Sequence, residues 1–236
     1  MNGYTTTRAW SSPPSSAAST VSTAISTPEV CLAYRNPASV ISKSALVERD
    51  LDLFVELART ARFSIAVSLA FSDAAMARAL EPWAPSPARR LQVIETLAAA
   101  GLDVAVMVAP VIPGLNDRQL VEVLERAALA GARAAGWVLL RLPGATASVF
   151  EARLRDTQPL AADRVLHQIR ATRGGALYDP RFGARGRGEG AHAELIAQLF
   201  ATTAARLRLA TRGDDDDDRA PTTFCRPASQ LALPLA

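Results

Sequence analysis

The run Val104-Ala-Val-Met-Val-Ala-Pro-Val-Ile-Pro-Gly-Leu-Asn116 constrains the fold of this chain more than any other segment. Val104 to Val108 is unbroken, apolar and rich in β-branched residues, the pattern of a parallel strand covered on both faces. Pro110 and Pro113 then restrict the backbone, and Gly114 admits a turn closed to other residues. A helix is expected from about Asp117, with Asn116 as its cap. In α/β folds ligands bind beyond the C-terminal ends of parallel strands. One segment therefore predicts both a fold class and the face that carries function.

The rest of the chain repeats that unit. Apolar runs predict strands over 39–43, 64–69, 104–109 and 136–141, and helical periodicity predicts helices over 51–61, 87–100 and 117–130. Gly101 and Gly131 follow two of these helices as stop signals. Strands alternating with helices predict a parallel sheet with right-handed crossovers. After Pro143 the pattern turns helical, over 147–155, 160–173 and 193–209, with a Gly/Arg-rich loop over 176–190 between the last two. Residues 1–27 carry too few large apolar groups to offset ordering entropy and read as a disordered or miscalled N-terminus. Asp214 to Asp218 is a run of acidic residues in what reads as a flexible tail over 211–236. The expected organisation is thus an N-terminal segment 1–27, a sheet-containing unit 28–145, a helical extension 146–210 and the tail.

Composition removes several function classes. With 49% hydrophobic and 21% charged residues, the chain reads as an ordinary globular protein rather than a disordered one. No apolar run is long enough to span a bilayer, so no membrane partner is expected. The N-terminus lacks the apolar stretch of a secretory signal. The net charge of +3 comes from arginines scattered along the sequence, and Lys43 is the single lysine. Scattered charge does not by itself identify a nucleic-acid partner. Two cysteines far apart, Cys31 and Cys225, argue against a disulfide framework and suit a cytoplasmic setting. With two histidines, His167 and His192, they lack the spacing of a zinc site, and no triad is recognisable.

Several pieces, taken in order, carry a resemblance. They are Val40-Ile-Ser-Lys-Ser44, Asp50-Leu-Asp-Leu53, Val67-Ser-Leu69, Leu80-Glu-Pro-Trp-Ala-Pro-Ser-Pro-Ala-Arg-Arg90, Val108-Ala-Pro-Val-Ile-Pro-Gly-Leu-Asn-Asp117, Gly136-Trp-Val-Leu-Leu-Arg-Leu-Pro143, Tyr178-Asp-Pro-Arg-Phe-Gly183 and Arg187-Gly-Glu-Gly190. Together they resemble the radical S-adenosylmethionine (SAM) superfamily, in the branch of spore photoproduct lyase and the DNA repair photolyase-like proteins. The resemblance implies an α/β fold: an incomplete (β/α) partial barrel of radical SAM type, with parallel strands and a helical C-terminal extension. It implies that Lys43 contacts the SAM carboxylate, that Ser68 hydrogen-bonds SAM and that the backbone of Ala109 approaches the adenine; read from the residues alone, Lys43 is equally a surface lysine at a strand end and Ser68 a buried serine satisfied by backbone.

The family's Cys-x3-Cys-x2-Cys motif, whose thiolates hold a 4Fe–4S cluster, has no counterpart here. Such clusters are held by Cys thiolates. The cluster is therefore not expected in this chain, which reads as a truncated radical SAM-like protein, inactive alone. The alternative is a non-enzymatic SAM- or nucleic-acid-binding remnant, or a fragment completed by a separate N-terminal piece. Other candidate binding residues follow from position. Arg141 ends the fourth predicted strand and can grip a carboxylate or phosphate bidentately, or pair with a helix carboxylate. Tyr178, Arg181, Arg185 and Arg187, with Asp179 and Glu189, sit on the Gly-rich loop. That loop is either a lid or nucleic-acid contact, or is folded down by Arg–carboxylate pairs.

Overall fold

The computed structural model describes residues 27–182, 184–211 and 222–226. The expected disorder of residues 1–26, the acidic run and most of the tail lie outside them. The structure is α/β, with one all-parallel sheet in the order β1-β2-β3-β4-β5. The strands are β1 (Ala38–Ser42), β2 (Phe63–Ser68), β3 (Val104–Val111), β4 (Ala134–Leu139) and β5 (Ala210–Thr211). The helices are α1 (Thr27–Ala33), α2 (Leu51–Thr60), α3 (Ala74–Leu80), α4 (Pro87–Ala99), α5 (Leu120–Leu129), α6 (Thr146–Thr157), α7 (Ala162–Ala171), α8 (Ala184–Arg187) and α9 (Ala191–Arg206).

Local chemistry places several boundaries. The Ser86 hydroxyl accepts from Arg89 N at 3.2 Å, and Pro87 opens α4, where its missing N–H costs nothing. Asp73 caps α3 by accepting from Met76 N at 2.7 Å. Gly131 stops α5 with φ +99°, and a Cβ there would come within 2.7 Å of Ala98 Cβ, so both backbone sign and space demand glycine.

The strands follow one another across the sheet without reversal, so right-handed crossovers carry the connecting helices to one face. Register puts Val40, Ile65 and Val104 in one row and Val67, Val106 and Ala135 in another. These pack with Phe54 of α2, Ile94 of α4, Leu124 of α5 and Phe200 of α9 in one apolar cluster. Burying each large side chain contributes about 1.5–3 kcal/mol. The opposite face differs. Its rows are Ile41, Ala66, Ala105 and Ala134, then Ser68, Met107 and Gly136. β3 was expected to be covered on both faces, yet Ala105, Met107 and Ala109 are only partly buried. This second face is lined by small side chains, and Gly136 leaves space for Met107, whose Cε would lie 2.9 Å from an added Cβ.

Three features go beyond the sequence reading. β5 is a fifth strand, too short for any pattern to reveal, and α9 reaches it after packing against α5. α1 and α3 form where no helix was predicted, and the short helix α8 forms inside the segment 176–190 expected to be a loop. Part of the tail is tied down: Cys225 N donates to Tyr34 O at 2.8 Å, and the Tyr34 and Phe224 rings stack.

Over the C-terminal strand ends lies a second apolar cluster. Phe71, Ile112 and Leu140, just past β2, β3 and β4, pack with Leu154 of α6 and Leu166 of α7. The helices α3, α6 and α7 therefore cover the rim rather than the sheet face. Among the described residues no helix is long and apolar enough to cross a membrane.

Candidate functional site

The turn after β3 is the frame of the rim. Pro110 has no N–H, and the β3–β4 ladder is interrupted between Val108 and Val111. The freed carbonyl of Ala109 accepts the Ser68 hydroxyl at 3.1 Å, and Ser68 is buried. Asn116 is 2% exposed. Its Nδ2 donates to Ala70 O at 2.7 Å and to Pro110 O at 3.0 Å, while its Oδ1 accepts from Ile112 N at 2.6 Å. Asn116 thus laces the ends of β2 and β3 together. It makes no side-chain cap on the following helical turn, contrary to expectation. Asp117 completes the frame: its Oδ2 accepts from Gly114 N at 2.8 Å, and His192 Nε2 lies 2.8 Å from it.

Beside this frame a pocket of about 560 Å³ opens at the strand ends. It brings together Lys43, just past β1, and Arg141, just past β4. Its apolar lining includes Phe71, Leu80, Ile112, Leu142, Val149 and Phe150. Its charged residues are Lys43, Glu81, Arg141 and Arg153. A volume of this size, apolar with a few convergent polar groups, is the usual form of a small-molecule site.

The charged groups are not equally available. Lys43 Nζ pairs with Glu81, whose second oxygen takes Arg90 at 2.6 Å. Arg90 is 2% exposed and also donates to Ser68 O at 3.0 Å and Pro85 O at 2.9 Å. Glu81 therefore bridges a buried and an accessible cation. Arg153 donates to Ala79 O at 2.7 Å and lies 3.7 Å from Asp156. Arg141 is exposed and has neither hydrogen bond nor ion pair among the described residues, so the salt-bridge alternative does not hold there. Behind it Arg173, also nearly buried, donates to Leu140 O at 2.8 Å and Ala184 O at 2.9 Å. Burial holds the Arg173 guanidinium below its ordinary pKa; attraction from Asp179 opposes this, and a smaller repulsion from Arg141 adds to it.

The Gly-rich loop is largely folded by its own charges. Arg181 grips Asp179 bidentately, at 2.6 Å for the closest contact, and reaches Glu189 at 2.8 Å. The hydrogen bonds from Arg181 hold the Asp179 carboxyl below its usual pKa. Arg185 lies 5.0 Å over the Phe182 ring, which is 90% exposed, and Arg187 ends α8. Tyr178 is half-buried near Arg173.

Of the candidate residues, Lys43 and Arg141 share the pocket, and Ser68 and Ala109 are bonded to each other. Tyr178, Arg181, Arg185 and Arg187 lie on a separate loop. Arg90, Glu81 and Arg173 were missed. Arg90 had a signal: at helical spacing it falls on the buried stripe with Pro87, Leu91 and Ile94. Arg173 had none, because its partners are backbone carbonyls distant in sequence.

No group of three His, Cys, Asp or Glu among the described residues is placed to hold a metal ion. Cys31 and Cys225 lie around the loop preceding β1, at the end of the sheet opposite the pocket. This donor set does not fit a 4Fe–4S cluster, which needs neighbouring thiolates.

No family model matches the chain. An uncharacterized protein of Mycobacterium tuberculosis is 40% identical to it over 130 residues, a stretch that is 54% of this chain and 38% of the relative. A Mycobacterium bovis protein matches to the same extent. An uncharacterized protein of Methanocaldococcus jannaschii is 32% identical over 85 residues, which are 35% of this chain and 31% of that protein. The chain thus matches only 38% of the length of its mycobacterial relatives, so the similarity reaches a segment of them.

Proposed function

We propose that this chain is part of a radical SAM-like (β/α) partial barrel whose C-terminal rim binds a small ligand, and that it performs no cluster-dependent chemistry by itself. The observation that carries the reading is the pocket joining Lys43, past the end of β1, and Arg141, past the end of β4, on the same rim of the parallel sheet. Unreversed parallel strand order with the connecting helices on one face is what a segment of barrel wall requires.

The SAM contacts implied by the resemblance are only partly open. Lys43 must exchange Glu81 for the SAM carboxylate, and the Ser68 proton is already given to Ala109 O. One charge-assisted contact is worth roughly 1.5–3 kcal/mol, so SAM binding should be weak. Calorimetric titration of SAM into the chain and into Lys43→Ala tests this. Weak binding lost in the variant is expected, and tight binding indifferent to the substitution would overturn the assignment. Iron analysis after anaerobic reconstitution tests the second half, where stoichiometric cluster loading would sink it.

The alternative, a fragment completed by another piece, is favoured by one feature. Among the described residues β1 is an edge strand, and Ile41 on its uncovered face is 60% exposed. Apolar edges of this kind pair readily with further strands.

A further inference from the structure

We propose that the rim pocket takes an amphipathic anion, a carboxylate or phosphate monoester on an apolar body, with Arg141 as its anchor. This deepens the reading of the rim as a ligand site and does not depend on SAM being the ligand.

The pocket's charges lead to this class by elimination. Lys43, Arg141 and Arg153 are its cations and Glu81 its carboxylate, so the lining carries a net positive charge. Glu81 engages Lys43, and Arg153 is occupied by a carbonyl and Asp156. Arg141 alone is left to an incoming anion. Its guanidinium offers the flat fork that carboxylate and phosphate match. SAM, with a sulfonium and an ammonium against one carboxylate, is poorly matched to a net positive pocket without an iron to hold it.

The apolar half defines the rest of the ligand. Phe71, Ile112 and Leu142 are already buried, so the apolar wall still open to water is made by half-buried Leu80 and Phe150 and by Val149, 69% exposed. Free phosphate would leave this wall wet. An alkyl or aryl body removes it from water, at about 25 cal/mol per Å².

The test is calorimetry on the full chain with octyl phosphate and octanoate. Inorganic phosphate, 1-octanol and octyltrimethylammonium serve as comparisons. Both amphipathic anions should bind more tightly than any comparison. Arg141→Ala should weaken them about tenfold or more, and Arg141→Lys less. Val149→Asp should weaken octyl phosphate while leaving the melting temperature unchanged. Equal binding of 1-octanol, equal binding of inorganic phosphate, or indifference to Arg141→Ala would each overturn the proposal. SAM in the same assay separates the two readings: SAM bound without octyl phosphate overturns this inference alone, and the reverse overturns the SAM assignment alone.

Discussion

The layer between sheet and helices and the layer over the strand ends are held by different chemistry. In the first, Val106, Leu124, Ile94 and Leu97 belong to one cluster of buried apolar side chains. In the second, apolar residues share space with Asn116, Arg90 and Arg173, buried polar side chains that hold backbone carbonyls of the strand ends. The first layer needs only volume and pattern. The second needs particular atoms in particular places, because a parallel strand stops there and its last carbonyls must find donors. A rim built this way keeps a fixed shape around a pocket while leaving charge at its surface.

Four substitutions probe that contrast. Leu124→Ala should have the largest effect. The residue is fully buried in α5, and loss of its side chain leaves a cavity costing about 2–5 kcal/mol. Urea unfolding would measure it, and a loss below about 1 kcal/mol would mean that this layer is loosely packed. Asn116→Ala comes next. It strands Ile112 N–H and the carbonyls of Ala70 and Pro110, with an expected cost of about 2–3 kcal/mol by the same method. Little change would show that water replaces the side chain and that the rim does not depend on specific bonds.

Glu48→Gln should act more weakly and with a pH signature. Hydrogen bonds from Arg89 hold the Glu48 carboxyl below its ordinary pKa. A depressed folded pKa stabilises the protein above the ordinary glutamate range, and that contribution disappears as pH falls through the lowered value. The pair is partly exposed, so the loss at neutral pH should stay below about 1 kcal/mol. The variant's melting temperature should also fall less steeply on acidification than that of the wild type. Identical acid limbs would assign acid sensitivity elsewhere, with Asp179 the next group to substitute. Trp83→Ala, at a ring that is 96% exposed, should change stability by less than about 0.5 kcal/mol. A larger loss would reveal that the loop before α4 contributes to the rim.

The two layers also differed in how far the sequence disclosed them. Four strands and the helices α2, α4, α5, α6, α7 and α9 were visible as apolar periodicity, within a few residues at their ends. Gly101 and Gly131 announced the ends of α4 and α5 through backbone chemistry alone. The rim was visible as a location but not as an arrangement. Lys43 and Arg141 were singled out for lying at strand ends, and they do share a pocket. The resemblance implied a SAM contact for Ser68, with a backbone-satisfied serine as the alternative, and its hydroxyl donates to Ala109 O of β3.

The amino-acid order alone determined the α/β class, the parallel sheet and the end of it that collects charge. Those follow from the spacing of apolar residues and from where glycine and proline permit turns, and both are local properties. The tertiary structure alone decided which cations are engaged. Glu81, brought from the end of α3 to the end of β1, takes Lys43, while nothing among the described residues reaches Arg141. Availability depends on distances between residues far apart in the chain, and no local pattern encodes them.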